Sequence, residues 1–257
     1  LNNYPNQIIK STLYMLLSAD IAKERKREIR KLMVFLEEID LIDLRSTNWA
    51  MSFDRNNLGY DMLIGVCRLV VEGLLQTQEE GSNKLGDFLD EQKEHALYEA
   101  FVRAYFRKEH PMLYAGKSHI NWMLDWDSSS SNSLPLMKAD IILEQGKTTF
   151  IIDTKYYRKN LTEYYGSRRV YSSDLYQIFA YVKNYSLQKT VEDPDQEVMG
   201  LLLYAKTDDH EQAHGDYQMS GNKIMVRTLD LDQEFMGIKQ DLDQIAGLLE
   251  ERAVLLH

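Results

Sequence analysis

The sequence predicts an α/β protein: an N-terminal α-helical region over residues 1–90, then a domain over 91–257 built on a central mixed β-sheet flanked by helices. Three observations lead there. Apolar residues recur at helical spacing through the first ninety positions. Short β-like runs bounded by turn signals take over beyond residue 118. A helical stretch then separates the third of those runs from the fourth. With 257 residues, 44% of them hydrophobic and 27% charged, the chain can fill one large core or two modest ones.

Taken in order, Ile8, Ile9, Leu13, Leu16 and Leu17 mark a first helix, and Ile29, Leu32, Met33 and Leu36 a second. A third is expected over 57–75, with Leu63, Cys67, Val70, Val71 and Leu74 as its buried stripe. Residues 76–87 are polar and hold two glycines, which makes them the best linker candidate. A helix over 93–108 follows, with Leu97, Phe101, Ala104 and Tyr105 on one face. Strands are expected at 119–124, 139–143, 148–157, 198–204 and 223–229, with helices over 173–185 and 233–254. The serine-rich run 128–133 reads as a flexible loop.

Several functions are excluded or disfavoured at once. No stretch approaches the roughly 18 to 20 uninterrupted apolar residues of a membrane helix, and the first residues have neither the basic start nor the apolar core of a signal peptide. A single cysteine, Cys67, cannot form an internal disulfide or a cysteine-based zinc site, and its place in an apolar helical pattern suggests the core. The six histidines lack metal-ligand spacing. A cytoplasmic location fits all of this. The net charge of −10 has the wrong sign for gripping DNA over the whole surface, so any nucleic-acid contact must be local or supplied by a partner.

The chemically informative stretch is Met137-Lys138-Ala139-Asp140-Ile141-Ile142-Leu143, a turn at Gln145-Gly146-Lys147, then Thr148 through Tyr157. It reads as a β-hairpin with one acid at the start of the first strand and Asp153-Thr154-Lys155 at the end of the second. Those two ends are neighbours in an antiparallel pair, so Asp140 and Asp153 can converge although thirteen residues separate them. Strand alternation puts Asp153 and Lys155 on one face. Two carboxylates and a backbone carbonyl make a hard oxygen site suited to Mg²⁺, and a neighbouring lysine can orient the attacking water. The local chemistry leaves two readings open, a metal-dependent active site and a structural Asp–Lys ion pair. Acid-x-Lys also occurs at Glu24-Arg25-Lys26 and Glu91-Gln92-Lys93, where surface charge explains it; only Asp153-Thr154-Lys155 follows an apolar strand.

Gln177 and Tyr181 lie four apart, on one face of the following helix. This Gln-x-x-x-Tyr pair after an Asp-x-Lys strand resembles the RecB-like branch of the PD-(D/E)XK nucleases. The segments Asn6 through Leu13, Pro135 through Asp140, Ile151 through Tyr157, Leu175-Tyr176-Gln177 and Arg227 through Leu231 resemble McrC, the nuclease subunit of McrBC modification-dependent restriction systems. The resemblance runs over essentially the whole chain. It implies a restriction-endonuclease-like domain in which Asp140, Asp153 and Lys155 form the catalytic set, with Gln177 and Tyr181 beside it. Mg²⁺, with Mn²⁺ as a stand-in, would rest on Asp140, Asp153 and the Thr154 carbonyl. Glu99 is a further acid at the position where many of these nucleases place one. Ala139-Asp140 stands where the superfamily has Pro-Asp, a modest departure because proline is not a ligand. McrC proteins carry an additional N-terminal domain that engages the McrB ring, so the residues from Leu1 onward are expected to be a C-terminal piece.

From Ile151 to Val170 five basic residues face two acidic ones, and Arg158, Lys159, Arg168 and Arg169 are the candidate phosphate contacts. Trp122 and Trp126 are expected to pack in a core or interface. By resemblance the partners are DNA and an McrB-like AAA+ GTPase ring that recognises modified cytosine; this chain itself would bind no nucleotide, and dimerisation during cleavage stays open. The alternatives are a non-catalytic assembly subunit and a RecB-like nuclease acting on DNA ends.

Overall fold

The structure is a computed structural model and describes residues 2–49, 51, 58–79, 91–116, 119–125, 133–157, 161–164 and 167–255. Two compact units divide the chain, Leu1–Ala104 and Tyr105–His257. Among the described residues no helix is long and apolar enough to cross a membrane.

The first unit is helical: α1 (Tyr4–Ser18), α2 (Lys23–Phe35), a short 3-10 turn (Leu44–Ser46), α3 (Leu58–Glu79) and most of α4 (Glu91–Glu109). Asn3 caps α1 by accepting a hydrogen bond from the Asn6 amide, and Pro5 sits in the first turn where its missing N–H costs nothing. Ile8, Leu44, Ile64, Cys67 and Val71 form its core, ringed by Ile9, Met15, Ile42, Trp49 and Met51. Cys67 is buried there, as its apolar setting suggested. On α3 the buried set is Ile64, Cys67, Val71 and Leu74, while Leu63 is 43% exposed. On α4 it is Tyr98, Val102, Tyr105 and Phe106, so the expected Tyr105 is buried while Leu97, Phe101 and Ala104 give way to the residues next to them. Both stripes obey helical spacing, and where apolar residues stand side by side only the packing partner chooses between them. On α2 only Ile29 is buried, and Leu32 is exposed. The expected linker begins inside α3, and its residues 80–87 lie outside those described, as does 128–132 of the serine-rich loop.

The second unit is organised by a five-stranded sheet in the order β3 (Ile141–Gln145), β4 (Thr148–Lys155), β7 (Glu197–Ala205), β9 (Asn222–Leu229) and β8 (Gly215–Met219), with a small antiparallel pair, β1 (His119–Ile120) and β2 (Met137–Lys138), before it. The hairpin of β3 (Ile141–Gln145) and β4 (Thr148–Lys155) forms in the register Ile141↔Ile152, closed by a two-residue turn with Gly146 at φ 57°. All eight residues of β4 are buried, which is why its sequence reads as a nearly continuous apolar run. A second hairpin, β5 (Thr162–Tyr164) with β6 (Ser167–Arg169), leads into α5 (Ser172–Glu192). Then β7 (Glu197–Ala205) lies parallel to β4, and β9 (Asn222–Leu229) parallel to β7. The polar edge strand β8 (Gly215–Met219) pairs antiparallel with β9 through a Ser220-Gly221 turn in which both φ angles are positive, 47° and 89°. The final helix α6 (Phe235–Leu255) packs on β3 and β4, and α5 on β4, β7 and β9. The sheet is therefore mixed and helix-flanked, the α/β arrangement that the pattern of elements predicted. The strand expected over 119–124 shrinks to two residues, and β8 went unread because Asp216-Tyr217-Gln218 has no apolar alternation. Asp216 instead faces Arg227 and Lys223 on β9, at 2.6 and 3.2 Å.

Gly200 on β7 fixes how closely α5 approaches. A Cβ there would lie 2.8 Å from Val182 Cγ2 and 2.9 Å from Ile178 Cγ1, both core side chains. Gly200→Val is therefore expected to destabilise the second unit by about 1–3 kcal/mol through overpacking. A lower urea midpoint at unchanged m would report it; an unshifted midpoint would mean that α5 can retreat freely.

Candidate active site

The register of the sheet decides what faces α5. Ile151 lies opposite Gly200, Asp153 opposite Leu202 and Lys155 opposite Tyr204, and the open side of Gly200 points at α5. Alternation along β4 therefore carries Asp153 and Lys155 onto the α5 side together. Asp153 is only 2% exposed and Lys155 7%. Burying two charges so deeply is costly unless they meet partners, and here they do. The Lys155 Nζ lies 2.7 Å from Asp153 Oδ2, donates a 2.8 Å hydrogen bond to Gln177 Oε1, and lies 3.9 Å from Asp174 Oδ1. Gln177 in turn donates from Nε2 to the Tyr181 hydroxyl at 2.9 Å. The helical spacing of Gln177 and Tyr181 thus becomes one chain, Lys155 to Gln177 to Tyr181.

Asp140 sits just before β3, beside the end of β4. Its Oδ2 accepts hydrogen bonds from the Thr154 amide at 2.7 Å and the Thr154 hydroxyl at 2.6 Å. Because the first strand enters where the second leaves, residues fourteen apart in sequence are clamped directly. The charge on Asp140 is close enough to act on Asp153. Burial first, and then Asp140, push the Asp153 carboxyl up from 3.8 to about 7 against the pull of Lys155. For Lys155, burial works against the ammonium, but Asp153 and Asp174 outweigh it and the lysine is raised above its usual value.

These features bear on whether a hard cation fits. Apart from its ion pair, the buried Asp153 Oδ2 has no hydrogen-bond donor, and the mutual repulsion of two carboxylates is what a divalent ion relieves. Among the described residues no group of three or more His, Cys, Asp and Glu is set to hold a metal. The fit therefore rests on Asp140 and Asp153. Glu99, on α4 within the first unit, is ion-paired with Arg103 one turn along the helix.

Sequence reasoning passed over three residues of this cluster. Asp174, 3% exposed in the first turn of α5, accepts hydrogen bonds from the Tyr204 hydroxyl at 2.6 Å and the Tyr157 hydroxyl at 3.1 Å. Burial and the Asp174 charge lift the Tyr157 hydroxyl to about 12 and raise Tyr204 further. An acid in a first helical turn is ordinarily read as complementing the helix dipole, so nothing in the sequence alone set Asp174 apart.

Of the expected phosphate contacts, Arg168 and Arg169 lie on β6, in the hairpin between β4 and α5, and the Arg169 side chain is exposed. Arg158, Lys159 and also Trp126 lie outside the described residues. Trp122 donates from its indole nitrogen to the Pro135 carbonyl at 2.7 Å.

Fold and site together define a mixed α/β protein with two carboxylates and a buried lysine gathered at one end of its central hairpin. Comparison with known proteins narrows this. The family model described as McrBC 5-methylcytosine restriction system component matches residues 1–205, and the chain belongs to that family. It is similar to the Type IV methyl-directed restriction enzyme EcoKMcrBC of Escherichia coli (strain K12), 29% identical over 241 residues that cover 92% of this chain and 67% of the relative. A solved structure also matches, the refined half-complex from a tetradecameric assembly of Thermococcus gammatolerans McrB AAA+ hexamers with bound McrC. It is 17% identical, with a TM-score of 0.37, over 95% of this chain and 52% of that one. The chain thus spans about half the length of that structure's chain. The family is the one that the McrC resemblance in the sequence implied.

Proposed function

We propose that this chain is the Mg²⁺-dependent endonuclease part of an McrC-like subunit, a PD-(D/E)XK enzyme that cuts methylcytosine-containing DNA together with an McrB-like AAA+ GTPase ring. The observation that carries the proposal is the placement of Lys155, ion-paired to Asp153 and steered by Gln177, beside the Asp140–Thr154 clamp. An ion pair that only fills a core has no need of a glutamine on the neighbouring helix to aim it. In this reading Asp140, Asp153 and the Thr154 carbonyl hold Mg²⁺, which when bound polarises the phosphoryl oxygens and makes water more acidic. Lys155 orients the attacking water and stabilises the charge that develops on phosphorus. Gln177 and Tyr181 fix the direction of that ammonium. Arg158, Lys159, Arg168 and Arg169 hold the strand by its phosphates, which carry no sequence information.

The test is cleavage of a methylated circular plasmid by the full-length protein with its ring partner, nucleotide and Mg²⁺. Cutting of the circle, abolished by EDTA and restored by Mg²⁺ or Mn²⁺, supports an endonuclease. Degradation of linear but not circular DNA would point to an end-directed nuclease instead. A net charge of −10 also leads us to expect that the isolated chain binds DNA weakly and that the ring supplies most of the affinity. Gel shifts at physiological salt check this, and tight binding by the chain alone would refute it.

A further inference from the structure

The lysine has a second anionic neighbour that the proposed chemistry does not use. Asp174 stands on α5 while Lys155 stands on β4, and their charged groups lie 3.9 Å apart in a nearly sealed space. The Asp174 carboxylate is itself held from three elements: Tyr204 of β7 and Tyr157 beyond β4 donate their hydroxyls to its two oxygens, and its backbone belongs to α5. The Tyr157 ring lies tilted against those of Tyr204, 6.2 Å away, and Tyr171, 5.3 Å away. A carboxylate fixed so firmly is a rigid point of negative charge, and the only ammonium ion-paired with it among the described residues is Lys155. A buried charge is tolerated when it faces its opposite, and a preset charge costs no reorganisation when the lysine is needed.

We infer that Asp174, braced by Tyr204 and Tyr157, is a positioning residue that, with Gln177 on the same helix, holds the Lys155 ammonium in place from α5 while Asp153 engages it from the strand. The inference rests on the proposed nuclease reading. When Asp153 turns its charge toward a cation, Asp174 remains as the lysine's fixed counter-charge, so the ammonium stays aimed at the phosphate. Asp174 touches neither substrate nor reacting atoms in this arrangement; it works through the lysine.

The decisive variants are Asp174→Asn, which keeps the shape and can still accept from Tyr204, and Tyr204→Phe, which loosens the brace and leaves the charge. Both are tested in the full-length protein assembled with its ring, beside wild type and Asp153→Ala. Asp174→Asn is expected to lower the turnover number about 10²-fold with little change in the DNA concentration for half-maximal rate, and Tyr204→Phe to lower it about 10-fold. A readout apart from cleavage is acylation of lysines in the metal-free protein by an amine-reactive reagent, mapped by peptide mass spectrometry. Labelling of Lys155 should rise several-fold in Asp174→Asn relative to the exposed Lys206, while Lys183 keeps its wild-type ratio. Wild-type turnover in Asp174→Asn, or Lys155 and Lys183 rising together as in general loosening, would overturn the inference. Should Asp153→Ala cut as fast as wild type, the nuclease reading fails instead. If Asp153→Ala is dead and Asp174→Asn fully active, only the positioning role fails.

Discussion

Replacing Asp153 with alanine is expected to reduce plasmid cleavage by the assembled complex about 10³-fold or more while assembly with the ring is retained. The magnitude follows from what is lost together. The variant removes one of the two carboxylates that would hold the cation, and with it the direct partner of Lys155 at 2.7 Å. Such losses are not additive, because the cation and the lysine act on the same phosphate. Assembly should survive, since the side chain lies beneath α5 and is 2% exposed, with no surface of its own to offer a partner. Size-exclusion profiles of the complex and a cleavage time course are the paired measurements. Equal cleavage by wild type and variant would move the chemistry to another subunit, and the Asp153–Lys155 contact would then be structural.

The second large effect concerns stability without metal. Asp153 is raised from 3.8 to about 7 by burial and by Asp140, so the folded state prefers its protonated form. A group raised in the folded state contributes stability that is complete below its unfolded value near 4 and is lost as pH rises through about 7. Wild-type protein in EDTA should therefore lose stability steadily as pH rises from 4 to 7. Asp153→Asn cannot ionise there and should be flatter, with the two curves diverging up to pH 7 and running parallel above it. Leaving Lys155 without its nearest anion offsets part of the gain, so the difference in slope is the cleaner observable. Urea melts at pH 5, 6, 7 and 8 measure it, and parallel curves over the whole range would show that Asp153 is already ionised at little cost. Adding Mg²⁺ should stabilise the wild type more than the variant, because a ligand bound only by the folded state adds stability through its affinity.

The parts of this arrangement that were legible in the sequence are those whose determinants are local. A buried strand ending in Asp153-Thr154-Lys155, a tight turn at Gly146 and an acid at the start of the preceding strand suffice to bring Asp140 to the end of β4, where the structure has it bound to Thr154, next to the expected Asp153. The pairing of Gln177 with Tyr181 needed only the helical repeat. Asp174 was illegible for the opposite reason. Its significance depends on β7 bringing Tyr204 beneath α5, a meeting of residues thirty apart that no spacing announces. The rotated stripe on α4 has a related cause, because Leu97-Tyr98 and Phe101-Val102 offer two adjacent apolar faces and the packing partner chose the second. The edge strand β8 was missed because an edge is held by one neighbour and needs no apolar alternation to form.

The clamp of Thr154 on Asp140 gives the site an internal order of assembly. Both of its hydrogen bonds lie within a single hairpin, which closes over a short loop and can form early. The lysine's steering depends on α5 and on β7 beyond it, contacts that close over longer stretches of chain. Loosening α5 from the sheet would therefore silence the lysine while leaving the two acids side by side, so grip on the cation and readiness to cut are separable properties of one strand end.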